Sequence, residues 1–112
     1  MLHRLKLHKE PFLQIKSGKK TIEMRLYDEK RQKINVGDKI EFTCRTDETQ
    51  KLICKVIALH RFCSFAKLYE SLLLEKCGYD EPQKADSSDM LKYYPEAEQK
   101  KYGVLGIELT LL

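Results

Sequence analysis

Gly18-Lys19-Lys20-Thr21-Ile22-Glu23-Met24-Arg25 carries two lysines from a glycine into a stretch where polar and apolar residues alternate. The alternation runs on to Tyr27, which predicts a strand over residues 20–27 with Ile22, Met24 and Leu26 turned inward. Thr21, Glu23, Arg25 and Tyr27 share the opposite face. Charges are costly to bury without partners, so that face either meets solvent or lines a polar site. Before the strand, Pro11 suits the first turn of a short helix. Phe12 and Ile15 fall on one side of that helix, and Gly18 can take the left-handed conformation that closes it.

The rest of the chain supplies the remaining elements. Residues 2–7 alternate as a first strand, with Leu5 and Leu7 opposite Arg4 and Lys6. Residues 28–33 are a charged loop, and Asn35-Val36-Gly37-Asp38 is a turn. Strands are predicted over 39–45 and 51–59, joined by a hairpin loop at 46–50. The second of these is apolar on both faces and therefore central. Ser64 can cap a helix whose stripe (Phe65, Leu68, Tyr69, Leu72 and Leu73) runs until Gly78. A second helix starts at Asp86-Ser87-Ser88-Asp89, with Met90, Leu91 and Tyr94 on its buried side. Pro95 opens a third, reaching about Tyr102, and residues 104–111 form the closing strand. Strands outnumber what alternating βαβ units would accommodate. The expected fold is α+β: a small, mostly antiparallel, curled β-barrel with flanking helices.

Composition limits the function classes. The chain has 112 residues, which is one domain, 1–112. Its longest purely apolar run is Leu72-Leu73-Leu74, too short to span a membrane, and residues 1–7 lack the apolar core of a signal peptide. A cytoplasmic location is expected. Cys44, Cys54, Cys63 and Cys77 form no CxxC pair, so free buried thiols are expected rather than a disulfide framework or a zinc site. No cofactor or metal site is indicated. The net charge of +4 is unevenly distributed. Residues 1–33 hold ten Lys/Arg and four Asp/Glu, whereas 64–98 hold four and eight. A basic first third favours a polyanion or nucleotide partner.

Phosphate-loop, dinucleotide-fold and serine-hydrolase signatures are absent, and His3, His8 and His60 are scattered. The chemistry concentrates in residues 18–27. Gly18, Lys19, Lys20, Glu23, Arg25 and Tyr27 could grip a phosphate or a base edge, with Glu23 accepting from an exocyclic amine and Tyr27 stacking. Lys20 beside Lys19 and Arg25 is also a candidate base or nucleophile, because neighbouring like charges disfavour the ammonium.

These same residues carry a resemblance. Pro11-Phe12, Ile15, Gly18, Lys20-Thr21-Ile22-Glu23-Met24-Arg25 and Gly37-Asp38-Lys39-Ile40, with Tyr93-Tyr94-Pro95 and Tyr102-Gly103-Val104 later, resemble the ASCH domain family over nearly the whole chain. The resemblance implies a PUA-like barrel and a cleft whose basic motif faces RNA or a nucleotide. It also implies an alternative. One small bacterial branch hydrolyses N4-acetylcytidine with a lysine, a threonine and a glutamate. Lys20 matches the lysine, but the threonine three residues on is Glu23 here. Thr21 and Glu23 remain as candidate catalytic partners, and Glu75, Asp80 and Glu81 as candidates for the acid. A third reading is a protein-interaction domain docking through the acidic helical segment.

Overall fold

The sheet's concave face is covered by its own curl, and helices cover the outer face only around β2. The computed structural model describes every residue from Met1 to Leu112. Its strands are β1 (Leu2–Leu7), β2 (Ile22–Leu26), β3 (Lys39–Cys44), β4 (Asp47–Phe62) and β5 (Val104–Leu111). They form one sheet in the order β1-β3-β4-β5-β2. The β1–β3 pair is parallel and the other three are antiparallel. The sheet curls without closing, so β1 and β2 are its two edges. This is the mostly antiparallel, curled α+β architecture expected.

The concave side holds one core, with Leu5, Leu7, Phe12, Ile15, Phe42, Val56, Leu105 and Ile107 among its members. Phe12 and Ile15 come from α1 (Lys9–Lys16), which plugs one end of the curl. The opposite side of β2 holds a second core. There Ile22, Met24 and Leu26 meet Phe65, Leu68, Leu74, Cys77 and Met90. The inward side of β2 thus faces the helical layer, and its polar side faces the barrel interior.

Several expectations need correction. The hairpin between β3 and β4 turns at Arg45-Thr46, and Asp47 already pairs with Cys44. Lys51 pairs with Thr43, so residues 48–50 bulge between these pairs. The strand reaches Phe62 because a second bulge, at Ile57, bends it along the curl. β4 is central, but Ile53 and Ile57 are exposed, since no helix covers that part of its outer face. Three cysteines are buried and free, whereas Cys63 is exposed at the strand end.

The helix expected to run to Gly78 is broken. α2 (Phe65–Ser71) is capped by Ser64, whose hydroxyl accepts from the Lys67 amide at 3.2 Å. Leu72 and Leu73 are extended, and a 3-10 turn follows over Leu74–Cys77. The break turns Leu74 and Cys77 into the core and leaves Leu73 outside, an arrangement that one continuous stripe of three adjacent leucines could not achieve. The second expected helix is a 3-10 segment, Ser87–Lys92. Its three-residue period buries Met90 and turns Leu91 to solvent. α3 (Glu96–Tyr102) follows Pro95 as predicted. Its buried Gln99 accepts from the Phe65 amide and donates to the Tyr94 carbonyl, fastening the helical layer together.

Candidate nucleic-acid interface

α1 gives way to β2 through a tight reversal. Gly18 sits at φ 84°, in the left-handed region that closes the helix. The Lys20 amide then donates to the Gln14 carbonyl at 3.0 Å. The Thr21 amide donates to Lys76 at 2.8 Å, which docks the 3-10 turn over Leu74–Cys77 on the strand. In β2, Glu23 lies opposite Ile107 and Arg25 opposite Leu105, both residues of the concave core. Alternation along β2 therefore carries two charged side chains to the inside of the barrel, at its open edge.

Three charges meet there. Lys20 Nζ lies 2.9 Å from Glu23 Oε1, and Arg25 Nε donates to Glu23 Oε2 at 2.8 Å. The Met24 amide also donates to Glu23 Oε1 at 3.2 Å. Arg25 Nη2 donates to the Lys6 carbonyl of β1 at 2.7 Å. Lys20, Glu23 and Arg25 are only 7%, 4% and 8% exposed. Burial alone would raise the Glu23 pKa. The Lys20 and Arg25 charges and their hydrogen bonds outweigh it and hold the carboxyl at about 2. For Arg25, burial pulls the pKa down while Glu23 and then Tyr94 push it up; the net direction is up. The cluster is thus an ionised pair of cations around one carboxylate, with one positive charge in excess.

It opens into a cleft of about 480 Å³ between the sheet edge and the helical layer. Lys20, Glu23, Arg25, Arg45, Tyr79 and Tyr93 are among its lining. Tyr93 is 51% exposed, with His8 packed 6.2 Å from its ring centre. Gln14 Nε2 donates to the Gly78 carbonyl at 3.1 Å, which holds Tyr79 and Asp80 at the rim. A side chain at Gly78 would meet Gln14 Oε1 at 2.5 Å, and the backbone there sits at φ 103°, so this close approach requires glycine.

The structure gathers some of the sequence candidates and separates others. Lys20, Glu23 and Arg25 are together. Lys19 is outside the cleft, ion-paired with Asp80 at its edge. Gly18 is exposed in the turn and shapes the loop without lining the cleft. Thr21 is half-buried and does not reach the cleft; its amide and carbonyl bind Lys76 and Leu109. Tyr27 packs against the concave core, lies under Arg61 at 4.1 Å, and borders a separate hollow with Lys100 and Lys101. Of the three candidate acids, Asp80 alone lines the cleft; Glu75 is exposed, and Glu81 pairs with Lys84 at 2.6 Å. Between Phe65 and Cys77 the large apolar side chain most exposed is Leu73, a single residue rather than a docking stripe. No cluster of three or more His, Cys, Asp or Glu has the arrangement of a metal site.

Sequence reasoning missed Lys6, His8, Arg45 and Tyr93 as cleft residues. Only the pairing of β1 with β3 brings Lys6 and Arg45 to one edge. The Tyr93-Tyr94-Pro95 run was visible as a motif, but its position against β2 depends on the 3-10 segment before it.

The chain matches the ASCH domain family over residues 5–112. No curated protein matches it. Among solved structures, it is similar to the hypothetical protein PH0355, with 35% identity, all of both chains covered and a TM-score of 0.84. It is also similar to protein PF0455 from Pyrococcus furiosus, with 36% identity, a TM-score of 0.76, and 100% of this chain and 98% of that one covered. The ASCH protein of Zymomonas mobilis (S128A mutant) shares the fold at 14% identity, with a TM-score of 0.67 over 97% of this chain and 67% of that one. No helix is long and apolar enough to cross a membrane. The edge-strand motif from Gly18 to Arg25, the curled five-strand sheet and the family match agree: this chain belongs to the ASCH domain family.

Proposed function

We propose that the cleft between β1 and β2 binds RNA or a nucleotide, with the base entering beside Tyr93. The observation that carries this reading is the buried Lys20–Glu23–Arg25 cluster opening into a cleft with an exposed aromatic ring. Lys20 and Arg25 supply donors whose positions are fixed by Glu23, and fixed donors recognise an acceptor edge at little cost in order. Glu23 accepts three internal hydrogen bonds, leaving little capacity for a base amine, so its role in this reading is to orient the two cations. Tyr93 supplies the stacking face assigned to Tyr27 from sequence. Binding of a short single-stranded RNA should weaken steeply with salt, and Lys20→Ala should lower both affinity and slope. Retention of RNA that is indifferent to salt, or none at low salt, would contradict the reading.

A second reading is hydrolysis of N4-acetylcytidine or a related acylated nucleoside. The Lys20–Glu23 contact at the cleft favours it, since lysine and carboxylate together can relay a proton to and from water. Against it, Thr21 supplies no hydroxyl to the cleft. Incubation with N4-acetylcytidine, followed by chromatography for cytidine, tests it directly. Turnover abolished by Lys20→Ala supports the hydrolase, and no turnover by the intact protein removes it.

A further inference from the structure

Arg25 separates two hollows. Beyond it, away from Tyr93, lies a basin of about 540 Å³ in which only Leu5 is apolar. Lys6, Arg25 and Arg45 line both hollows, so the two adjoin at the sheet edge. Seven cationic side chains surround the basin against two carboxylates, Glu41 and Glu48. Both carboxylates are already matched. Glu41 lies 3.6 Å from Arg4 and 3.7 Å from Lys51, and Glu48 lies 3.1 Å from Lys6. Arg31 pairs with Asp28 at 2.8 Å, yet its buried Nε has no hydrogen-bond partner in the protein. Lys30 and Arg45 have no carboxylate within ion-pair distance. Cations gathered this way repel one another, and the arrangement is relieved when an anion enters. The Lys30 pKa is lowered, first by partial burial and then by the charges of Arg31 and Arg25, with Asp28 opposing.

We propose that this basin is a phosphate subsite, so that the ligand of the cleft is an oligonucleotide whose backbone crosses Arg25 and descends between Lys30, Arg31 and Arg45. The inference rests on the nucleotide-binding reading and narrows its substrate class, from a base or nucleoside to a chain carrying phosphodiesters. A nucleoside would fill the cleft alone and leave the basin's excess charge unanswered. Phosphates placed there meet several donors at once, the arrangement that gives backbone contacts their positioning role.

The test compares cytidine, cytidine monophosphate and a single-stranded six-nucleotide RNA, binding to the full chain and to Lys30→Gln/Arg31→Gln. Both residues line the basin and neither lines the cleft. Lys30 is exposed and unpaired, and a glutamine at 31 can still donate to Asp28, so the variant should fold. The hexamer should bind the intact protein at least about tenfold tighter than cytidine, and the variant should lose most of that advantage while binding cytidine unchanged. Its salt slope should fall by about 1.4, the expectation for two lost single-strand phosphate contacts. If cytidine binds but the variant holds the hexamer with undiminished affinity, the subsite is refuted and the cleft reading stands. If cytidine does not bind while hexamer affinity depends on Lys30 and Arg31, the cleft reading fails and the subsite stands. Displacement of the hexamer by an equal charge of polyaspartate would show a basin for any polyanion and overturn the proposal, as would no binding of any of the three ligands.

Discussion

Arg25 Nη2 donates to the carbonyl oxygen of Lys6 at 2.7 Å, and this contact links the two edge strands that the sheet itself leaves unpaired. An open sheet exposes carbonyls and amides along each edge. Here one β1 carbonyl is satisfied by a side chain of β2, and the same guanidinium is anchored by Glu23. The unclosed seam of the curl is therefore held open at a fixed width, with charged groups in place of backbone pairing.

Breaking this tie should be costly. Arg25→Met leaves Glu23 with one cation and the Lys6 carbonyl without its donor. The expected loss is about 3–5 kcal/mol, in the range for a buried pair that loses one member. The triple replacement Lys20→Met/Glu23→Leu/Arg25→Met removes every charge of the cluster together and should be less destabilised than the single variant. Urea denaturation of both variants checks this. A single variant as stable as the parent would show that the contact contributes nothing to holding the two edges in place.

Acid should act on the same cluster. Glu23 ionises at about 2 in the folded chain, against an ordinary value of 4.5. Because the folded value is depressed, the associated stability is complete above about pH 4.5 and is lost as pH falls toward 2. Its size is on the order of 3 kcal/mol. Stability measured between pH 5 and 2.5 should therefore fall less steeply in Glu23→Gln than in the parent chain. Parallel curves would show that Glu23 is not held ionised by its neighbours.

Gly78 should resist substitution for two separable reasons. Its φ of 103° strains any L side chain, and a Cβ there meets the end of the Gln14 side chain. Gly78→Ala should cost more than about 1 kcal/mol. Adding Gln14→Ala removes the overlap but leaves the backbone strain, so the double variant should recover only part of any cost. Full recovery in thermal melts would assign the whole effect to the side-chain contact.

The two tyrosine candidates should behave differently. Tyr93→Ala should weaken RNA binding by about 1–3 kcal/mol, the range for one lost stacking face. Tyr27→Ala should leave RNA binding unchanged while costing stability, because Tyr27 packs under Arg61 and against the concave core. Fluorescence anisotropy with a labelled hexamer separates these outcomes.

The sequence made the alternation in β2 legible, and with it the grouping of Glu23 and Arg25 on one side. It did not reveal that both sides of the strand are buried, because period-two alternation is the same whether the polar side meets water or a barrel interior. Lys20 could be placed with Glu23 because both lie in one short segment. Lys19, its neighbour, is ion-paired with Asp80, which belongs to a distant segment that the Gln14–Gly78 and Thr21–Lys76 contacts hold beside the turn. Lys6, Arg45 and Tyr93 come from three distant segments and share no local pattern. Helix boundaries failed where apolar residues were too many: the Leu72-Leu73-Leu74 run reads as one stripe, but the core has room for only part of it.

Nucleotide binding in the cleft is tested most directly by where a nucleotide lands. Amide shifts of the isotope-labelled chain, followed by NMR during titration with the single-stranded hexamer, locate it. Saturable shifts are expected at Lys6–His8, Glu23–Arg25 and Tyr93–Tyr94. Shifts confined to the hollow of Tyr27, Arg61 and Lys100, or no saturable shifts at low salt, would contradict binding in the cleft.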